Sequence, residues 1–155
     1  MGAVAGQVIV SAKPRQTAEA DRRAELTFLE SRYFDDAETY RQRLAQAERP
    51  RGQSAESLRQ AGQTAIGNKN GVEAERNFAG VVRLQPDDFE AWSRLAFALL
   101  MQNPEDWNKR YKKQAEATQA SVNAYLKAVT DSERAWALDL LGTSFSRQQV
   151  WKPAI

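Results

Sequence analysis

Beyond Pro14 the apolar positions fall into a helical period. Leu26, Leu29, Tyr33 and Phe34 recur at three- and four-residue spacings, and after Asp35-Asp36 the series resumes with Ala37, Tyr40, Leu44 and Ala47. Arg49-Pro50-Arg51-Gly52 is a loop signal, so residues 15–49 are expected to form one helical hairpin. Residues 1–14 read as a tail, with Val8-Ile9-Val10 bracketed by Gly2, Gly6 and Pro14. From Ser54 onward the signals are helical throughout. Ser54 is placed to be an N-cap, and Asp87 with Glu90, like Thr130 with Glu133, has N-cap to N3 spacing. Breaks are expected at Asn68-Lys69-Asn70-Gly71, at Gln85-Pro86-Asp87-Asp88, at Asn103-Pro104 and around Thr130-Asp131-Ser132. Helices of about 12–16 residues joined by short turns predict antiparallel pairs. No stretch alternates strongly enough to be a core strand, and the expected class is all-α.

A longer period lies over the short one. Residues 55–88 form a unit of 34 residues with Leu58 at position 4, Ala61 at 7, Gly62 at 8, Ala74 at 20, Phe78 at 24, Val81 at 27 and Pro86 at 32. Small residues at 8 and 20 allow two helices to approach closely, large ones at 4 and 24 fill the space between units, and proline at 32 ends the second helix. The next unit starts in phase at Phe89, with Trp92, Leu95, Ala96 and Leu99 at positions 4, 7, 8 and 11. A third starts near Ala135, with Leu138, Leu141, Gly142, Phe145 and Ala154 at 4, 7, 8, 11 and 20. Over residues 55–155 this resembles the tetratricopeptide repeat (TPR). The resemblance implies antiparallel helix pairs stacked as a right-handed solenoid, here behind the N-terminal hairpin.

Two departures accompany it. Gly62 and Gly142 are 80 residues apart, and two 34-residue repeats do not fill that span. The surplus is expected near 103–113, between the helices of a second repeat over 89–134. The third repeat, 135–155, is cut after one turn of its second helix, and a solenoid end ordinarily carries a capping helix, so the chain reads as part of a longer polypeptide. "DFEAWSRLAFALL", "AYLKAV", "SERAWALDLLG" and "VWKPAI" are similar to the helical segment upstream of the macroglobulin domains in bacterial alpha-2-macroglobulin-like proteins. That similarity implies a periplasmic accessory segment, a spacer or lid within a large envelope protein. Without it, a cytoplasmic location fits equally.

Composition narrows the chemistry. The 155 residues contain no histidine and no cysteine. Cys/His zinc sites, disulfides, thiol nucleophiles and histidine-based triads are therefore excluded. Twenty-two basic and 20 acidic residues give a net charge of +2. The signs interleave, with nine basic and eight acidic side chains in residues 13–51, which is the pattern of a solvated surface and not of a nucleic-acid face. The longest apolar run, Leu95 to Met101, is too short to cross a bilayer. Ala3-Val4-Ala5 has the form of a signal-peptidase site without the preceding charged and apolar regions; it is either the stub of a trimmed leader or chance.

The candidate site follows from the TPR resemblance, which implies that first-helix positions line a concave face. They include Arg59 and Gln63, then Phe97 and Met101, then Asp139, Thr143 and Arg147, beside Ile66, Glu90, Ser93, Leu100, Trp136 and Ser146. Apolar anchors with polar edges suit an extended or helical peptide. The partner is expected to be a protein or peptide, or other domains of the same longer chain. The alternative is that the N-terminal hairpin fills the face, leaving Phe97 and Met101 as core. Trp136 and Leu140 break the family's clamp for a C-terminal carboxylate. Trp107 and Tyr111, spaced i and i+4 among Lys109, Arg110, Lys112 and Lys113, read as a helix start pinned to the core more readily than as a stacking surface for nucleic acid or lipid. Trp92, Trp136 and Trp151 read as packing residues. Asp35-Asp36 and Asp87-Asp88 sit at turns, where carboxylates cap helices, and lack calcium-loop spacing. Gly62, Gly67 and Gly71 are not followed by the G-K-[ST] of a phosphate loop. The expectation is a non-catalytic interaction module without metal or cofactor.

Overall fold

The computed structural model describes Ala20 and residues 34–47 and 52–151. The chain divides into two units, residues 1–35 and 36–155, and the helical array lies in the second. The expected tail and the first arm of the expected hairpin lie outside the described residues.

Six helices are present among the described residues: α1 (Phe34–Gln46), α2 (Ala55–Gly67), α3 (Gly71–Leu84), α4 (Phe89–Met101), α5 (Trp107–Lys127) and α6 (Asp131–Trp151). From α2 onward each helix packs against its successor, mostly as adjacent antiparallel pairs, and α4 also touches α6. None is long and apolar enough to cross a membrane.

The boundaries follow local chemistry. Ser54 Oγ accepts the Ser57 N–H at 3.1 Å and starts α2. Asn70 Oδ1 accepts from Glu73 at 3.1 Å and starts α3, after a turn in which Lys69 takes a positive φ of 58°. Thr130 Oγ1 accepts the Glu133 N–H at 3.1 Å, while Glu133 Oε1 accepts the Thr130 N–H at 3.1 Å, a reciprocal capping box at the start of α6. The cap of α4 is Asp88, which accepts from Ala91 at 3.2 Å, one residue beyond the position expected from Asp87. The Asp35-Asp36 break falls inside the first turn of α1.

The surplus residues of the second unit are not a loop. Only residues 102–106 separate α4 from α5, and α5 runs for 21 residues where α3 has 14. Asp106 caps it, accepting the Lys109 N–H at 3.0 Å, so the extra length is extra helical turns. Helix α6 is also 21 residues long and unbroken from Asp131 to Trp151. It starts at the Thr130 cap that its spacing to Glu133 announces, ahead of the repeat boundary near Ala135, and the turn expected inside a third repeat does not occur within it.

The core is the line of α2 to α5 contacts. Phe78, Trp92, Leu95, Leu99, Val81 and Val122 are its largest fully buried apolar side chains, each stabilising by about 1.5–3 kcal/mol on burial. Helices α2 and α3 approach closely because position 62 has no Cβ; one placed there would lie 2.7 Å from the Phe78 ring. Gly142, its counterpart in the repeat register, meets nothing within 4 Å and does not have that role among the described residues. Trp92 Nε1–H donates to the Pro86 carbonyl at 2.7 Å, fixing the α3–α4 turn to the core.

Helix α1 attaches to α4 and α5. Tyr40 is buried with its ring centroid 6.4 Å from that of Trp92. Asn123 Nδ2–H donates to the Ala37 carbonyl at 3.1 Å, and Arg43 pairs with Glu116 at 3.7 Å.

Candidate functional site

Helix α4 has two unlike faces. Trp92, Leu95, Ala96 and Leu99 are buried in the core. Glu90, Ser93, Phe97, Leu100 and Met101 lie along the face directed to α6 and border three connected hollows. The first, about 590 Å³, is bounded by Ile66 of α2, Glu90, Ser93 and Phe97 of α4, and Glu133 and Trp136 of α6. The second, about 200 Å³, shares Phe97 and Trp136 and continues past Met101, Asp139, Thr143 and Arg147. The third, about 460 Å³, shares Met101 and Arg147 and ends at Gln102, Asn103, Gln114 and Ser146. Together they form a groove along α4 and α6.

Its middle is apolar and open. Phe97 and Met101 are half-buried, and Trp136 is 42% exposed. Trp92 is core, as its spacing suggests; Trp136, placed by the sequence both with the packing tryptophans and on the first-helix face, is a groove wall. It sits on the first turns of α6, where no helix among the described residues covers it.

Both ends carry charged groups. Glu90 and Glu133 flank the first hollow, with Arg94 beside them. The backbone N–H of Val129, then that of Thr130, hold the Glu133 carboxyl below its ordinary pKa, so it is an ionised acceptor at neutral pH. At the far end Arg147 donates to the Leu100 carbonyl and remains exposed to the groove. Thr143 Oγ1–H donates to the Asp139 carbonyl at 2.9 Å, leaving the exposed Asp139 carboxylate at the rim.

Five of the seven sequence-derived candidates, Phe97, Met101, Asp139, Thr143 and Arg147, thus border one groove. Arg59 and Gln63 are not among its lining residues. The Arg59 guanidinium is engaged elsewhere: it donates to Asp88 at 2.5 Å and to Gln85 Oε1 at 2.9 Å, and lies 3.8 Å from Glu90. The Asp88 hydrogen bond raises its pKa first, and Coulombic attraction adds to this. It ties α2 to the start of α4. Gln63 Nε2 reaches Glu90 Oε1 at 3.5 Å from an exposed position.

Phe89, Arg94, Glu133 and Gln114 also border the groove, although none was singled out as lining. Glu133 carried a signal, its capping spacing to Thr130, but capping did not announce that α6 would start beside α4. Gln114 carried none, because its place depends on α5 starting at Trp107. The aromatic pair on that first turn is not pinned to the core: Trp107 is 48% and Tyr111 39% exposed.

No group of three or more acidic, histidine or cysteine side chains is placed to hold a metal ion among the described residues. The groove offers apolar walls, the carboxylates of Glu90, Glu133 and Asp139 and the guanidinium groups of Arg94 and Arg147, which together suit non-covalent recognition. No family model, curated protein or solved structure matches this chain.

Proposed function

We propose that the chain is a non-catalytic interaction module that docks a peptide segment of a partner protein along the α4–α6 groove, in the manner of a TPR-like array. One observation carries this reading: the apolar strip of Phe97, Met101 and the 42%-exposed Trp136 continues between two charged ends, and no helix among the described residues closes it. Apolar strips of this kind, rimmed by polar groups, mark interaction sites. The charges give the segment a polarity. A basic side chain complements Glu90 and Glu133, apolar side chains meet Phe97 and Trp136, and an acidic side chain complements Arg147. The helix pairs from α2 onward and the Gly62–Phe78 approach support the repeat-like architecture on which this reading depends.

The test is selection of binders from a displayed peptide library on the intact chain. The selected peptides are expected to combine a basic residue, one or two large apolar residues and an acidic residue. Replacing Phe97 and Arg147 together by Ala should weaken them at least tenfold in calorimetry. Unchanged affinity in that double variant contradicts the proposal.

A further inference from the structure

The extra turns of α5 carry a surface that the groove does not use. Trp107 and Tyr111 stand one turn apart on the same face of the helix and are 48% and 39% exposed. None of residues 107–113 lines the three hollows. Aromatic side chains of this size are ordinarily core residues or interface residues, and these two rings lie outside both the core and the groove.

Their charge setting is one-sided. Helix α5 has five basic residues and one acidic, a larger surplus than the +2 of the whole chain. Lys109, Arg110, Lys112 and Lys113 all stand in its first two turns, whereas the acid, Glu116, is 8% exposed and paired with Arg43 of α1. At 3.6 residues per turn, Arg110 and Lys113 fall on one flank of the rings and Lys109 and Lys112 on the other. The first flank is engaged within the fold: Arg110 Nε–H donates to the Pro104 carbonyl at 2.8 Å, and Lys113 pairs with Glu75 at 2.8 Å. The second flank is not. Lys109 and Lys112 are exposed, and neither ammonium group has a hydrogen bond or ion pair among the described residues. The two carboxylates just ahead of the helix, Glu105 and Asp106, lie at its N-terminal end, and Asp106 accepts the Lys109 N–H at 3.0 Å as its cap.

Exposed rings beside uncommitted lysines complement a polyanion. A single-stranded nucleic acid is held in a groove that tracks its backbone, and these residues line none of the three hollows. An anionic bilayer needs only an outward helix face. Trp and Tyr rings settle at the headgroup level, and lysines extend along their stems to meet the surface charge.

We infer that the first two turns of α5 are a contact surface for an anionic membrane, with Trp107 and Tyr111 entering the headgroup layer and Lys109 and Lys112 meeting its negative charge. The inference does not depend on the groove reading.

The experiment is co-sedimentation of the intact chain with vesicles of phosphatidylcholine that contain a third phosphatidylglycerol, and with vesicles of phosphatidylcholine alone. Partitioning should be about tenfold stronger on the anionic vesicles, and the difference should vanish at high salt, which screens exposed charges. Lys109→Gln with Lys112→Gln should weaken it more than tenfold, about fivefold for each charge removed. Trp107→Ser with Tyr111→Ser should weaken it about tenfold, because the rings are what enter the layer. The lysine pair is fully on the surface, so its variant decides the matter even where the aromatic one is destabilised. Failure to bind the anionic vesicles, equal binding to both vesicles, or undiminished binding by the lysine variant or by a folded aromatic variant overturns the inference. Binding of a fluorescent oligothymidylate without binding of vesicles also overturns it, and assigns the surface to single-stranded nucleic acid.

Discussion

The α2–α3 seam and the α5–α6 seam are built on opposite plans. In the first, Gly62 brings its helix against the Phe78 ring and Leu58 meets Gly80, so that apolar side chains fill the space left by missing Cβ atoms. In the second, Thr118 and Ser144 are buried and hydrogen-bonded to each other at 2.8 Å, and Gln148 Nε2–H donates to Thr118 Oγ1 and to the Gln114 carbonyl. An apolar seam of this kind is stable without help and leaves nothing to recognise. A polar seam contributes less net stability, since its bonds replace bonds to water, but its geometry is specific. Gln114, whose carbonyl belongs to this polar seam, also lines one of the hollows beside α4. The contrast separates a seam set by size complementarity from one set by hydrogen bonds.

The largest expected effect breaks the apolar seam. Phe78→Ala removes a ring with no exposure and should lower the unfolding free energy by about 3–5 kcal/mol, read from urea denaturation followed by circular dichroism. A smaller loss would mean that α2 and α3 collapse around the cavity and that Gly62 does not fix their spacing.

Disturbing the polar seam should cost less. Ser144→Ala is expected to cost about 0.5–1.5 kcal/mol, the net worth of one hydrogen bond. Adding Thr118→Val should not double the loss, because the two groups share one bond and their effects couple. Strict additivity in that double-mutant cycle would contradict the described network.

The smallest effect concerns pH and the attachment of α1. Glu116 borders Arg43 at 3.7 Å. Burial pushes its pKa above the ordinary 4.5, and the nearby Lys113 and Arg43 only partly oppose this. The folded state therefore holds the proton more tightly than the unfolded one between 4.5 and the raised value. Through this group stability declines as pH rises across that window and stays reduced above it. Glu116→Gln should raise the unfolding midpoint at pH 7, with the gain fading below pH 4.5. A loss at pH 7 would show that the Arg43 pair outweighs desolvation.

The apolar seam was the legible one. Leu58, Gly62, Ala74, Phe78 and Pro86 announce it because close helix packing demands small and large residues at fixed intervals. The polar seam gave no comparable signal. Thr118, Ser144 and Gln148 are polar residues inside helices, and their partners lie 26–34 residues apart. Repeat register brought five of the seven candidate residues to one groove. Arg59 lies outside that lining, because its carboxylate partners Asp88 and Glu90 sit at the start of the next helix and draw its charge to that joint. The register also matched Gly142 with Gly62, although α6 runs on through Trp151 with no turn, so the match in sequence has no match in packing.

The most direct measurement is a map of backbone amide chemical-shift changes as a selected peptide is titrated into the intact chain. Docking in the groove predicts changes concentrated on Ser93, Phe97, Met101, Trp136 and Thr143, with Leu58, Phe78 and Val81 of the apolar seam unmoved. Changes centred on α2 and α3, with α4 and α6 silent, would contradict it.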